Sequence, residues 1–364
     1  MTAPNDIAAE RGISRRSVLS RGAAGLGIAL TGSLNGLFGT AASAHGAARA
    51  AGYGPLIADP KGLLALPEGF SYTIVAQSGK TFLESGEPTP DDPDGTAAFV
   101  RRGGNGSVLV NNHEIGGSEK FPVPRVPGFT YDPAVGGGTT TIEVDNDGNR
   151  VREYVSLAGT LNNCAGGRTP WETWLTCEEA ETAPSAAVPH GYVFEVDPYD
   201  QAKNRDPKPI KAFGRYAHES CVVEPQGARV YHTEDAGNPN GLLYRWTAPD
   251  EALPLRAGSF RRLADDAGTL EAMRASTRSG TFVPDLSVAT APGTTYRVEW
   301  VTVPDRDART TSTRKQAYAK PITRSRKLEG MWWGDGGAYF VASFARTSDG
   351  SAAQHDGQVW FLDP

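Results

Sequence analysis

The stretch GYVFEVDP, residues 191–198, defines the unit from which this chain is built. A glycine opens it, a run rich in aromatic and β-branched side chains follows, and an acid and a proline close it. Similar runs begin at Gly241 and at Gly357, which lie 50 and then 116 residues further along. Glycine and proline bound strands because glycine permits tight turns and proline cannot donate to a ladder. The chain is therefore predicted to be a series of short strands.

Two further series share this period, and both carry acids. The strand-like runs Val108–Glu114, Thr173–Glu178 and Val230–Glu234 end on glutamates that lie 64 and 56 residues apart. The pairs His218-Glu219 and Leu328-Glu329 lie 110 residues apart, which is two periods. Repeated units of this length with several strands each are typical of β-propellers.

A propeller gives the repeated acids a common location. Equivalent strand ends of successive blades point toward the same mouth of the central channel, so acids distant in sequence converge there. The acids expected to meet in this way are Glu114, Glu178, Glu219, Glu234 and Glu329. The later run Ala338–Phe344 matches the acid-ending strands but has no acid. A β-sandwich with chance alternation is the alternative fold.

The run NNCAGGRTPWETWLTCEE, residues 162–179, places a thiol directly before two carboxylates. Clustered carboxylates repel each other unless a cation lies between them, and a multivalent metal is the simplest such cation. Cys177 is therefore the candidate ligand of a transition metal, with a small buried core residue as the alternative. Cys164 and Cys221 are interpreted as core residues, since neither has an acidic neighbourhood of this kind.

Glu234 and Asp235 precede a glycine turn and form a candidate Ca²⁺ ligand set, with an ordinary surface turn as the alternative. On an extended strand adjacent side chains face opposite sides, so only one member of each His-Glu pair can face the channel. We assign that role to the glutamates, Glu114 and Glu219.

The first 45 residues read as an export signal and are excluded from the fold. Ser14-Arg15-Arg16-Ser17-Val18-Leu19 is a twin-arginine pattern, an apolar stretch covers 22–38, and Ala42-Ser43-Ala44 is a candidate cleavage site. The apolar stretch is too short and glycine-rich for a stable membrane span. Residues 46–65 are predicted to be a linker and 66–364 one domain. The expected location is the periplasm or the extracellular space.

Composition narrows the classes of function. The formal net charge is -6, and no basic run suggests a nucleic-acid surface. Gly and Pro number 43 and 26, which suits a fold of many strands and turns. Three cysteines is an odd count, so at least one thiol is unpaired or serves another purpose.

Five motifs together resemble the PhoX-type alkaline phosphatases, a family of calcium- and iron-dependent phosphatases exported by the twin-arginine route. The most specific is the Asn163–Glu179 run. The other four are Asn111–Glu114, Arg215–Glu219, Tyr231–Gly237 and Lys327–Gly330, in the order in which the family has them.

The resemblance implies a six-bladed propeller that hydrolyses phosphate monoesters or diesters at a cluster of Fe³⁺ and Ca²⁺. It implies that Cys177 binds iron, and that the glutamates named above lie at or near metal-ligand positions. Lys327, where the family often has Arg, and Arg326 are the candidates for binding the phosphate. The expected substrate is a small phosphorylated molecule, and we expect a monomer.

Family members continue beyond the position at which this chain stops, at Asp363-Pro364. The resemblance therefore implies a C-terminally shortened chain with an incomplete last blade or ring closure. Two other functions stay open. One is a divergent, non-catalytic propeller that binds metal, and the other is a calcium-dependent lactonase-like hydrolase that needs no thiol ligand.

Overall fold

The computed structural model describes residues 52–344 and 357–364, and within them the chain is all-β, as predicted. The predicted export signal lies outside the described residues. No α-helix occurs in the described part, where six short 3-10 helices punctuate the loops. These are Gln201–Asn204, Lys211–Phe213, Asp250–Ala252, Phe260–Arg262, Leu286–Val288 and Thr313–Lys315.

Eighteen strands are described, and they are numbered in chain order. They are β1 (Leu56–Ile57), β2 (Leu66–Pro67), β3 (Pro93–Val100), β4 (Ser107–His113), β5 (Gly137–Val144), β6 (Arg150–Thr160), β7 (Asn163–Arg168), β8 (Trp174–Glu178), β9 (Val193–Val196), β10 (His218–Val223), β11 (Arg229–Glu234), β12 (Leu243–Thr247), β13 (Thr269–Ser276), β14 (Phe282–Val283), β15 (Arg297–Thr302), β16 (Leu328–Gly334), β17 (Gly337–Ala342) and β18 (Gln358–Leu362).

Residues 52–74 are the described part of a separate compact unit, and they contain a small hairpin. Strands β1 and β2 pair antiparallel, with Leu56 opposite Pro67. Asp59 organises the turn between them, because its carboxylate accepts bonds from the amides of Lys61 and Leu63 and from the Tyr72 hydroxyl. The predicted boundary between linker and domain at residue 66 stays a prediction.

Residues 75–364 form the second unit and contain four antiparallel sheets. Sheet 1 is β3–β6, sheet 2 is β7–β9, sheet 3 is β10–β15, and sheet 4 is β16–β18. Neighbours in each sheet follow one another in sequence, apart from β15, which returns to pair with β13. Most pairings are therefore local hairpins, the arrangement that the repeated strand-and-turn pattern predicts.

The sheets pack face to face in chain order, with an apolar core between each successive pair. Phe99 and Phe194 lie in the core of sheets 1 and 2, and Trp246 lies in the core of sheets 2 and 3. In β10, Cys221 faces sheet 2 while its neighbour Val222 faces sheet 4. The period of two along a strand thus buries both faces of a middle sheet.

The first strand of each sheet carries an irregularity at the same place. Pairing with the second strand shifts register immediately after Pro93, Asn163, His218 and Leu328, each of which is the first residue of its strand. A β-bulge of this kind turns the next side chain out of the regular alternation, and bulges often lie next to active sites. These first strands also contact one another in the order β3, β7, β10 and β16.

Candidate metal centre

Each of the four sheets contributes two residues from equivalent positions to one group of polar side chains. One is the second residue of the first strand, and the other immediately follows the second strand. We call these eight residues the central cluster: Asp94 and Glu114, Cys164 and Glu179, Glu219 and Asp235, Glu329 and Ser343.

The pairing of the strands explains why these positions meet. The start of each first strand lies opposite the end of each second strand, as for Asn163 with Glu178 and His218 with Glu234. The two cluster residues of a sheet each follow one member of such a pair. Because the bulge lies at the same step, all four sheets present these side chains at the same edge.

The buried part of the cluster combines one thiol with two carboxylates. Cys164, Glu179 and Glu219 each offer a ligand atom, and these three atoms lie within 4.8 Å of one another. Cys164 and Glu219 are buried, and Glu179 is partly buried. A thiolate with carboxylates is a donor set that suits iron better than an alkaline-earth cation. The chemistry of these residues therefore fits a transition metal.

The carboxyl groups of this part repel one another. Burial, together with the charges of Glu219, Asp235 and Glu114, raises the pKa of Glu179 to about 9. Burial raises the pKa of Glu219 to about 8, against a lowering contact from Cys164 and with further raising by Glu329. Both groups prefer to be protonated unless a cation joins them, which is the electrostatic condition for a metal site.

The remaining acids lie on a more open side of the cluster. Burial and the nearby charge of Asp94 raise the pKa of Glu114, whose Oε1 accepts a bond of 3.2 Å from Asn162. Desolvation and Glu329 likewise raise the pKa of Asp94. Glu329 accepts a bond of 2.7 Å from the Ser343 hydroxyl. Carboxylate and hydroxyl oxygens are hard donors, so this side suits Ca²⁺.

Lys327 supplies a positive charge to the cluster. Its ammonium group donates to Asp235 and lies 3.6 Å from Glu329. Burial lowers its pKa, but the bond to Asp235 and the charge of Glu329 outweigh burial, so the pKa is raised overall. Lys327 has a φ of 45°, in the left-handed region that non-glycine residues rarely adopt. Arg326 lies one residue before it and is partly buried.

Glu178 lies outside the cluster, although the sequence predicted it there. It is the last residue of β8, fully buried, and its carboxylate accepts bonds from the amides of Leu161, Gly191 and Tyr192. His190 Nδ1 lies 2.7 Å from the same carboxylate, and its Nε2 lies 3.2 Å from Asp132. The predicted position is thus one residue too early, and Glu179 takes it.

Glu234 shows the same displacement in sheet 3. It is fully buried and accepts bonds from the Tyr244 hydroxyl at 2.8 Å and from Arg314 at 2.9 Å. Burial raises its pKa to about 7, and Arg314 opposes that rise. Asp235, the next residue, is the member of the cluster. The repeat in the sequence aligned the last residues of the strands. In the structure, the residue that follows each of these strands is the one that reaches the shared edge.

The structure places Cys177 in the apolar core and Cys164 beside the acids, which is the reverse of the sequence prediction. Cys177 is fully buried in the apolar core of sheets 2 and 3, opposite Val193. Burial and the neighbouring Cys221 thiol raise its pKa, so the thiol is favoured over the thiolate there. Cys164, interpreted from sequence as lacking acidic neighbours, is the cysteine beside the acids. That interpretation considered only neighbours in sequence, whereas Glu179 and Glu219 are neighbours of Cys164 in space.

The structure unites five of the predicted residues, Glu114, Glu219, Asp235, Glu329 and Lys327. The sequence analysis missed Asp94, Cys164 and Glu179. One signal was available, since Asp94 and Cys164 occupy the position in β3 and β7 that Glu219 and Glu329 occupy in their strands. The histidines of the two His-Glu pairs, His113 and His218, lie outside the cluster and are fully buried.

Comparison with known proteins identifies the family. The family model described as Alkaline phosphatase PhoX matches residues 51–364, and the chain therefore belongs to this family. No curated protein matches the chain. In the part of the chain that the structure describes, no helix is long and apolar enough to cross a membrane.

Proposed function

We propose that the protein is an exported, metal-dependent phosphatase that hydrolyses phosphate monoesters to phosphate and an alcohol at the central cluster. The observation that carries the proposal is the equivalence of the eight cluster positions. Four sheets separately deliver metal-ligand side chains to one edge, where unpaired carboxylates would otherwise repel. Membership of the PhoX family supports the phosphatase activity.

The cluster offers two kinds of metal environment. Cys164, Glu179 and Glu219 would hold Fe³⁺, because a thiolate among carboxylates suits that metal. Asp94, Glu114, Asp235 and Glu329 would hold Ca²⁺ through oxygen donors alone. When bound, these cations supply positive charge that polarises the phosphoryl group and lowers the barrier to attack by water.

The other residues bind and orient the substrate. The Lys327 ammonium group is the candidate hydrogen-bond donor to the substrate phosphate. It can leave Asp235 and Glu329 once metals neutralise those acids. As a point charge it attracts phosphate without the two-bond geometry that an arginine provides. Arg326 is the second candidate because it directly precedes Lys327. Glu178 and Glu234 hold the strand ends that carry Glu179 and Asp235.

The architecture fits a propeller arc. Four sheets that pack face to face in chain order, with their first strands in successive contact, are the arrangement expected for consecutive blades. Closure into a six-bladed ring remains part of the proposal, as does export through the predicted twin-arginine signal.

Metal analysis and activity assays test the proposal together. The purified exported protein should contain iron and calcium and should release phosphate from p-nitrophenyl phosphate until calcium is chelated. A protein with no iron and no turnover would sink the phosphatase assignment. Calcium bound without turnover would instead favour a non-catalytic metal-binding protein. Two features support that alternative: the Lys327 ammonium group lies within the cluster, and sheet 4 supplies Ser343 where the other sheets supply an acid.

A further inference from the structure

A polar cavity opens directly beside the central cluster. Its volume is about 550 Å³, and two cluster residues, Glu179 and Asp235, form part of its wall. The rest of the wall comes from the loop that follows β8, from residues just before β10 and just after β11, and from the segment between β15 and β16. A substrate whose phosphate lies at the cluster would therefore extend its leaving group into this cavity.

The lining of the cavity excludes large apolar leaving groups. Among the described residues that line it, none is aromatic and no aliphatic side chain is larger than alanine. Thr182, Thr310 and Ser312 contribute hydroxyl groups. Pockets for apolar or aromatic ligands are instead lined mainly by hydrophobic and aromatic side chains. The cavity suits a small, hydrophilic leaving group.

Three arginines line the cavity, and two of them are already engaged. Arg215 is buried and donates to the carbonyl groups of His190, Ala308 and Glu181. Arg314 donates to Glu181 at 2.5 Å and to Glu234 at 2.9 Å. These bonds join the surrounding loops, so both arginines serve chiefly to shape the wall.

Arg309 differs from the other two. Its side chain is 73% exposed, and its ion pair is with Asp307, whose side chain is also solvent-accessible. An exposed pair of this kind contributes little, so an anion on a substrate can replace Asp307 at small cost. A guanidinium group binds a carboxylate or phosphate through two parallel bonds.

We propose that the enzyme prefers phosphate monoesters whose small leaving group carries a second anionic group, and that Arg309 binds that group. The inference rests on the proposed phosphatase function. Two cluster residues and Arg309 line the same cavity, so the cluster would hold the phosphate while Arg309 holds the carboxylate or second phosphate. Arg309 is thus a residue that determines specificity and takes no part in the chemical step.

The test compares two substrates that differ in one group, 3-phosphoglycerate and glycerol 3-phosphate, with the metal-loaded protein. Wild type should favour 3-phosphoglycerate in kcat/KM. Arg309→Gln should lower kcat/KM for 3-phosphoglycerate about tenfold, mainly by raising KM. The same substitution should change kcat/KM for glycerol 3-phosphate less than twofold. Asp307→Asn removes the competing carboxylate and should lower KM for 3-phosphoglycerate alone.

Arg278→Gln is the matched control, because Arg278 is an exposed arginine in the turn between β13 and β14 and does not line the cavity. Equal effects of Arg309→Gln on both substrates, or no preference in wild type, would overturn the inference while leaving the phosphatase function intact. Activity on p-nitrophenyl phosphate with none on either substrate would also overturn only the inference, whereas failure of wild type to hydrolyse all three esters would overturn the phosphatase function, and this inference with it.

Discussion

Glu178 and Glu179 are adjacent in sequence and experience opposite environments. Glu178 is fully buried, and hydrogen-bond donors from three backbone amides and from His190 surround its carboxylate. Glu179 is less buried, but its nearest charged neighbours are other acids, and its pKa rises to about 9. Glu234 and Asp235 repeat this contrast in sheet 3. Burial alone therefore does not distinguish a structural acid from a ligand, whereas the identity of the neighbours does.

The largest effect is expected from Glu178→Gln. The new glutamine side-chain amide would lack the negative charge that the surrounding backbone N–H groups now donate to. It would also leave His190 with one carboxylate instead of two, so the buried His190 would lose a charged partner. Breaking such a pair costs about 3–5 kcal/mol, which corresponds to a fall in Tm on the order of 10 °C. Glu179→Gln should leave the Tm of the metal-free protein unchanged or higher, because it removes repulsion. Calorimetry of both metal-free variants makes the comparison, and similar losses would contradict it.

The second effect separates the two buried cysteines. Cys164→Ser should remove most of the bound iron and lower phosphatase kcat/KM at least 100-fold, on the scale of losing a metal ligand. Cys177→Ser should retain iron and activity, and should show only the modest loss of stability expected for a polar group in an apolar core. Metal content per chain, measured for both, decides the assignment. Iron lost from the Cys177 variant alone would restore the ligand that the sequence predicted.

The third effect is a pH dependence confined to the metal-free protein. Glu179 and Glu219 have folded-state pKa values of about 9 and about 8, above the ordinary value of 4.5. The folded protein therefore binds more protons than the unfolded chain between about pH 4.5 and pH 9. Its stability should fall as pH rises through that window. Thermal melts at pH 5, 7 and 9 should show this fall, and the protein loaded with iron and calcium should not show it, because bound cations stabilise the ionised carboxylates. A metal-free Tm that rises with pH would refute the electrostatic account.

The smallest effect concerns Lys327. Lys327→Arg should keep activity or improve it, because a guanidinium can hold phosphate through two bonds, whereas Lys327→Met should raise KM about tenfold. Calcium affinity of Lys327→Met should rise, since the ammonium group no longer competes for Asp235 and Glu329. An unchanged KM would show that Lys327 offsets the negative charge of the cluster without binding substrate.

The sequence predicted the fold class and much of the site because both depend on a repeated local pattern. Strand-and-turn units bounded by Gly and Pro indicated the sheets, and acids repeated at the same interval indicated a shared edge. Glu219 and Glu329 lie in the cluster because each directly follows the first residue of its strand. Glu178 and Glu234 were placed one residue too early because the pattern marks where a strand carries acids, and the side of the sheet changes with every residue.

By itself, the sequence determined that this chain forms short antiparallel strands, that equivalent acids converge, and which family it belongs to. Local propensity and period suffice for the first two conclusions, and the five sequence motifs suffice for the third. Only the tertiary structure decided which acid of each adjacent pair joins the cluster and which cysteine accompanies it. Those choices depend on bulges in the first strands and on which sheet packs against each face. Contacts between residues more than 50 positions apart, such as Cys164 with Glu219, set both.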